Sequence, residues 1–242
     1  MKHRLAFFIV SLACRTRMLS AQPAARVTPD LGRLKCGIDS LEIYVVQQTA
    51  RRRTGTVVDE CRSSGTGSTR VLTRIYRTTD RVLGNRLDTI VDLWSTLEPR
   101  SYHSVSSRLS SGEKIQLDWS GNRLRGRIEP DKQPATAVDE EVKSPQYNSA
   151  SFDVLLRASP LAAGYSVDVP AYIPTRGVVK LTAKVAGEEE VAGQASWRVD
   201  ADFAGVPITF WIAKTSRQLL KQVMHITPEA DIEFVVPPAR RS

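Results

Sequence analysis

Residues 114–128 read KIQLDWSGNRLRGRI. Ile115, Leu117 and Trp119 alternate with Lys114, Gln116 and Asp118; after Ser120-Gly121-Asn122, Leu124 and Ile128 alternate with Arg123, Arg125 and Arg127. A repeat of two is that of a pleated strand, whose side chains point to opposite faces in turn. Glycine at the first position suits a two-residue hairpin loop, so Gly121-Asn122 fixes the register by counting outward. Trp119 then faces Leu124 and Ile115 faces Ile128, while Asp118 faces Arg125 and Gln116 faces Arg127. The apolar residues share one face and the charges the other, which is the pattern of an antiparallel sheet with one wet side.

The same rhythm recurs on both sides of this hairpin, at 41–46, 56–61, 70–77, 87–94, 101–109 and 136–142, and again at 165–169, 178–185, 191–203, 207–212, 218–226 and 231–236. Residues 129–134, EPDKQP, read as a loop. One stretch breaks the alternation. In NSASFDVLLRAS, residues 148–159, Phe152, Leu155 and Leu156 fall at helical spacing, with Ser149 placed to cap the start and Pro160 to stop the end. The expected fold is mainly β: a curved antiparallel sheet, as a half-barrel or open-barrel meander, covering one short central helix. Residues 38–236 form one β-rich domain in this reading, preceded by an extension at 22–37 and followed by a flexible tail at 237–242.

The amino terminus has a different character. Met1-Lys2-His3-Arg4 is basic, and Leu5 to Cys14 is apolar apart from Ser11. That run is too short to cross a bilayer as a helix and suits a secretory h-region, with a small-residue cleavage site at Leu19-Ser20-Ala21. Residues 1–21 therefore read as a signal peptide leading to the periplasm. Anchoring as a lipoprotein through Cys14 is less favoured, because Ser11 stands where a lipobox wants leucine. The chain has 242 residues, 41% of them hydrophobic and 25% charged, which excludes a collagen, an acidic disordered tail and a transmembrane bundle. Its formal charge of +8 falls to +4 once Lys2, Arg4, Arg15 and Arg17 leave with the signal. A balance so close to neutral speaks against nucleic acid as the partner. Arg51-Arg52-Arg53 is the one dense basic cluster. It reads as a solvated hairpin loop, with anionic lipid head groups as the alternative contact.

Motifs for chemistry are sparse. Beyond the signal there are two histidines, His103 and His225, and neither belongs to an HExxH spacing; Asp39-Ser40 is followed by Leu41 where an aspartic protease has glycine. No GxSxG elbow, phosphate loop or dinucleotide fingerprint occurs, so no catalytic residue, cofactor or metal site is expected. His103, in SYHSVSSRL with Asp118 available to orient it, keeps open a Ser/His hydrolase as an alternative. Glu188-Glu189-Glu190 lacks the alternate spacing of a calcium loop and reads as a solvated turn. Cys36 and Cys61 form a candidate disulfide in an exported protein, although spacing alone does not fix their geometry.

The carboxy-terminal third carries a resemblance. Trp197-Arg198-Val199, the turn Ala204-Gly205, Thr209-Phe210-Trp211-Ile212, the turn Lys214-Thr215-Ser216-Arg217 and Leu219-Leu220-Lys221 follow one another. This succession resembles the uncharacterised bacterial envelope family called domain of unknown function 3108, and Phe152-Asp153-Val154-Leu155-Leu156 sits where that family has a short helix. The resemblance implies export and a curved antiparallel sheet around a helix, similar to the half-barrels of lipoprotein carriers such as LolA; it implies no catalytic residues. If the concave face lines a cavity, Trp119, Leu124, Phe152, Trp197, Phe203 and Phe210 are its candidate walls, although apolar residues at period two also fill ordinary cores. The function expected is that of an exported, monomeric, non-enzymatic protein binding an apolar or lipid-like ligand or an envelope partner, with a structural scaffold as a further alternative.

Overall fold

The computed structural model describes residues 27–107, 112–143 and 146–237. The signal segment with Cys14, and residues 238–242 of the tail, lie outside them. The described residues form fifteen strands: β1 (Ile38–Gln47), β2 (Ala50–Ser64), β3 (Val71–Asp80), β4 (Asn85–Leu93), β5 (Pro99–Ser107), β6 (Gly112–Ser120), β7 (Arg123–Pro130), β8 (Thr136–Glu141), β9 (Tyr147–Asn148), β10 (Ser166–Ile173), β11 (Gly177–Val191), β12 (Gln194–Phe203), β13 (Val206–Ala213), β14 (Leu219–Thr227) and β15 (Ala230–Val235). The single α-helix among the described residues, α1, spans Phe152–Ala158. All strands join one open, curved sheet in the order β8-β7-β6-β5-β4-β3-β2-β1-β15-β14-β13-β12-β11-β10-β9. It consists of two meanders joined by the β1–β15 pair, and every pairing is antiparallel except β9 on β10.

The β6–β7 hairpin keeps the register counted from the sequence pair for pair. Gly121 takes φ 57° at the first loop position, a left-handed conformation that glycine adopts without a Cβ clash. Gly126, opposite Leu117, is glycine for another reason. A Cβ there would lie 1.9 Å from the Gln116 carbonyl oxygen, so any side chain would force the two strands apart.

Helix α1 is enclosed rather than laid on a surface. Phe152, Val154, Leu155, Leu156 and Ala158 are all buried and meet both meanders; each large apolar side chain removed from water in this way contributes about 1.5–3 kcal/mol. The helix is shorter than the sequence expectation, because Ser149–Ser151 forms a 3₁₀ turn before it. Asn148 holds that turn in place of Ser149, its side-chain oxygen accepting from the Ala150 N–H. An Asx side chain reaches the amide two residues on more readily than serine does. At the other end the Asp30 N–H donates to the Ala158 carbonyl at 2.9 Å, satisfying an orphan helix acceptor. Leu31 and Leu34 are buried beside the helix, so the described part of the amino-terminal extension is packed.

The sheet also curls onto itself. Val169 and Ala171 of β10 face the helix core, while Tyr172, pointing the opposite way, packs edge-on to Trp119 of β6 at 5.9 Å. Tyr172 thereby joins Ile90, Tyr102, Leu117, Trp119 and Leu124 in a second core cluster. One rim of the sheet tucks against the concave face of the other. Side-chain packing performs this closure, and β8 and β9 remain the hydrogen-bonded ends of the sheet.

Two expected loops are strands. Arg51-Arg52-Arg53 begins β2, where Arg51 pairs with Glu233 and Arg53 with Glu42, each at under 3 Å. Glu188-Glu189-Glu190 ends β11, which runs on to Val191: Glu188 pairs with Lys214, and Glu189 accepts from Arg198 and from the Trp211 indole. Partners across the sheet neutralise Arg51, Arg53, Glu188 and Glu189, so extended backbone is favoured where the local sequence suggested a turn. No helix among the described residues is long and apolar enough to cross a membrane.

Cys36 and Cys61 are joined by a disulfide, with their Cα atoms 4.8 Å apart, and it closes a loop of 25 residues between the extension and β2. A cross-link of that length constrains the unfolded chain by about 3 kcal/mol. Guanidinium unfolding of the Cys36→Ser/Cys61→Ser protein is expected to show a loss of that size relative to the oxidised wild type; equal midpoints would contradict it.

Candidate functional site

A cavity of about 400 Å³ opens between α1 and the concave face. Its two sides come from different meanders. On the carboxy-terminal side Phe203, Val206, Ile208, Phe210 and Met224 present apolar surface, and Phe152 of the helix meets Phe203 and Phe210 in edge-on contacts at 6.0 and 6.3 Å. On the amino-terminal side Asp59, Arg74, Arg86, Asp88, Tyr102 and Glu113 turn polar groups inward. The size falls within the range of small-molecule sites, which combine apolar lining with a few placed polar groups.

The polar wall is built around Arg74. Leu72, Arg74 and Tyr76 alternate on β3, so the strand that buries Leu72 also carries the arginine inward. Its guanidinium is sandwiched between Asp59 of β2 (Nε 3.2 Å, Nη2 2.7 Å) and Asp153 of α1 (Nη1 2.9 Å, Nη2 3.2 Å), and Nη1 also donates to the Ala150 carbonyl. Burial pulls this group down, but Asp153 and Asp59 outweigh the penalty and hold its proton above the ordinary arginine value. Burial, reinforced by the same carboxylates, pushes the Tyr76 phenol up, so Tyr76 lines the cavity as a neutral hydroxyl. Next along the wall, the Tyr102 hydroxyl accepts from Arg86 and donates to Asp88 at 3.3 Å. Arg157 of α1 donates to the Arg217 carbonyl at 2.9 Å and lies 3.7 Å from Asp39.

Of the residues expected from the sequence to line a cavity, Phe152, Phe203 and Phe210 do so. Trp119 and Leu124 do not: the curling of the sheet buries them against Tyr172 in the second core cluster. Trp197 sits at the margin of the main core with the Lys214 ammonium 4.1 Å from its ring centroid, away from the cavity. The charged wall lies outside the sequence expectation, although parity along β3, counted from buried Leu72, places Arg74 and Tyr76 on the inner face.

The histidines occupy the convex side. His103 is exposed and lies 3.4 Å from Asp118, with no serine hydroxyl among its hydrogen-bond partners in the described residues. His225 makes a fuller contact set, with Nδ1 2.9 Å from Asp231 and Nε2 3.4 Å from the Thr209 hydroxyl. Thr209, however, donates its single proton to Asp200 at 3.2 Å, which leaves it poorly placed to be activated by the histidine.

The family model described as Protein of unknown function (DUF3108) matches residues 40–230, from β1 into β15. The chain belongs to the DUF3108 family. The matched span contains α1 and the lining of the cavity apart from Asp39, and within it the Thr209-Phe210-Trp211-Ile212 motif of this DUF3108 chain supplies Phe210 to the cavity and Trp211 to the convex face. No curated protein matches the sequence.

Proposed function

We propose that this is an exported, non-enzymatic envelope protein that binds an apolar or lipid-like ligand between α1 and the curved sheet. The observation that carries the reading is the unfilled space beside Phe203, Ile208, Phe210 and Met224. Cores pack to crystal-like density, whereas this space stays open between the helix and the sheet, with apolar lining on one side and a few placed polar groups on the other, as small-molecule sites have. Export is supported by the basic-then-apolar amino terminus together with the Cys36–Cys61 disulfide, a bond that persists in oxidising compartments such as the periplasm. The carrier analogy drawn from the sequence motifs points the same way.

Uptake of the neutral dye N-phenyl-1-naphthylamine tests the proposal, with native mass spectrometry of gently extracted protein as its companion. Wild type is expected to brighten the dye or to carry a co-purifying lipid, and Ile208→Trp, which fills the apolar side, is expected to lose at least about half of the dye signal. A homogeneous mass without ligand, combined with no dye uptake, would overturn it.

A further inference from the structure

The polar wall of the cavity has a definite electrical character. Among the described residues five carboxylates line it, Asp39, Asp59, Asp88, Glu113 and Asp153, against three guanidinium groups, Arg74, Arg86 and Arg157. None of the three cations is free. Arg74 is held on both sides by Asp59 and Asp153, Arg86 is bound to Asp88 and Tyr102, and Arg157 is committed to the Arg217 carbonyl, Asp39 and Asp153. The surplus lies with the acids. Among the described residues the Glu113 carboxylate has no cationic partner, and it enters the cavity on the same face of β6 as Ile115.

We infer that the cavity selects amphiphiles whose polar end donates hydrogen bonds and carries no negative charge, with an alkylammonium as its best-matched class. This rests on the ligand-binding function proposed above. An anionic head entering the cavity would meet a net surplus of negative charge and the unpaired Glu113 carboxylate in a partly dehydrated space, and would find every guanidinium already bound. Coulomb repulsion is strong under those conditions because the local dielectric is far below that of water. An ammonium or a cluster of hydroxyls would instead find carboxylate acceptors at Glu113 and Asp88 and the neutral Tyr76 hydroxyl, while its alkyl chain lies along Ile208, Phe210 and Met224. The apolar side sets that a tail is bound, and the polar side sets which head accompanies it.

The test displaces N-phenyl-1-naphthylamine with three probes of equal chain length below their aggregation concentrations: dodecylammonium, dodecyl maltoside and dodecanoate. Dodecylammonium is expected to displace the dye at a concentration about tenfold lower than dodecanoate, with the maltoside between them. Glu113→Lys is expected to narrow the gap to within about threefold or to reverse it, and Glu113→Gln, a milder change on a half-exposed side chain, to narrow it partway. Dodecanoate binding as well as or better than dodecylammonium overturns the inference while leaving the ligand-binding function intact. A preference untouched by both Glu113 variants also overturns it. Failure of every probe and of the dye overturns the proposed function and this inference together.

Discussion

Arg74→Met is expected to lower the unfolding free energy by about 3–5 kcal/mol, the largest loss of any single substitution near the cavity. Methionine matches the length of the arginine stem, so little packing is lost. What changes is the electrostatics: Asp59 and Asp153, with side chains only 9% and 14% exposed, would face each other across the vacated site without a cation. Two like charges with little water between them repel strongly. The neutral triple variant Asp59→Asn/Arg74→Met/Asp153→Asn is expected to recover more than half of the loss, because breaking a buried pair costs far more than removing all its charges. Urea unfolding with unchanged m-values measures both effects. A loss below about 1 kcal/mol for Arg74→Met would mean that cavity water already solvates the two acids. Against the 5–15 kcal/mol that typically holds a domain together, the expected loss is large enough to populate the unfolded state on warming.

The charged wall and the hairpin register differ in how far local pattern reveals them. The pairing of Trp119 with Leu124 and of Asp118 with Arg125 could be counted because a turn fixes the phase and one face is clearly apolar. Arg74, Asp59 and Asp88 share the inward parity of Leu72, Val57 and Ile90, yet charged residues at inward positions read locally as solvent-facing. Asp88 has Arg86 only two residues away, whereas the partners of Arg74 lie 15 and 79 residues away in sequence, so the neutralisation that makes its burial tolerable is invisible to any local window. The same applies at Glu188 and Arg51, whose strand conformation depends on Lys214 and Glu233. Trp119 and Leu124 illustrate the other gap. Period two assigns them to the concave face correctly, but only the curl that brings Tyr172 beneath them determines that they are packed rather than exposed to the cavity.

Asp92→Asn is expected to stabilise the protein at neutral and alkaline pH and to leave it little changed near pH 4. Asp92 is 1% exposed; its Oδ2 accepts from Ser151 at 2.5 Å, and its Oδ1 has no partner among the described residues. Burial pushes its carboxyl from an ordinary 3.8 up to about 7, opposed in part by the Ser151 hydrogen bond and by Arg74. Between those two values the folded chain keeps a proton that the unfolded chain has released, so the unfolding free energy falls as pH rises across the window. Below it both states are protonated and the group contributes nothing; above it both are ionised and the full penalty, up to about 4 kcal/mol, is present. Asparagine keeps the shape without the charge, so the stability difference between variant and wild type should grow from pH 4 to pH 8 and then level off. A difference that stays flat with pH would refute this assignment. The effect should also be felt locally. Ser151 lies between Ala150 and Phe152, both on the cavity wall, so ionisation of Asp92 loads the start of α1 where it borders the ligand space. Amide hydrogen exchange at 150–153 is accordingly expected to quicken, beyond the intrinsic pH trend, as wild type passes pH 7, and to follow only the intrinsic trend in Asp92→Asn.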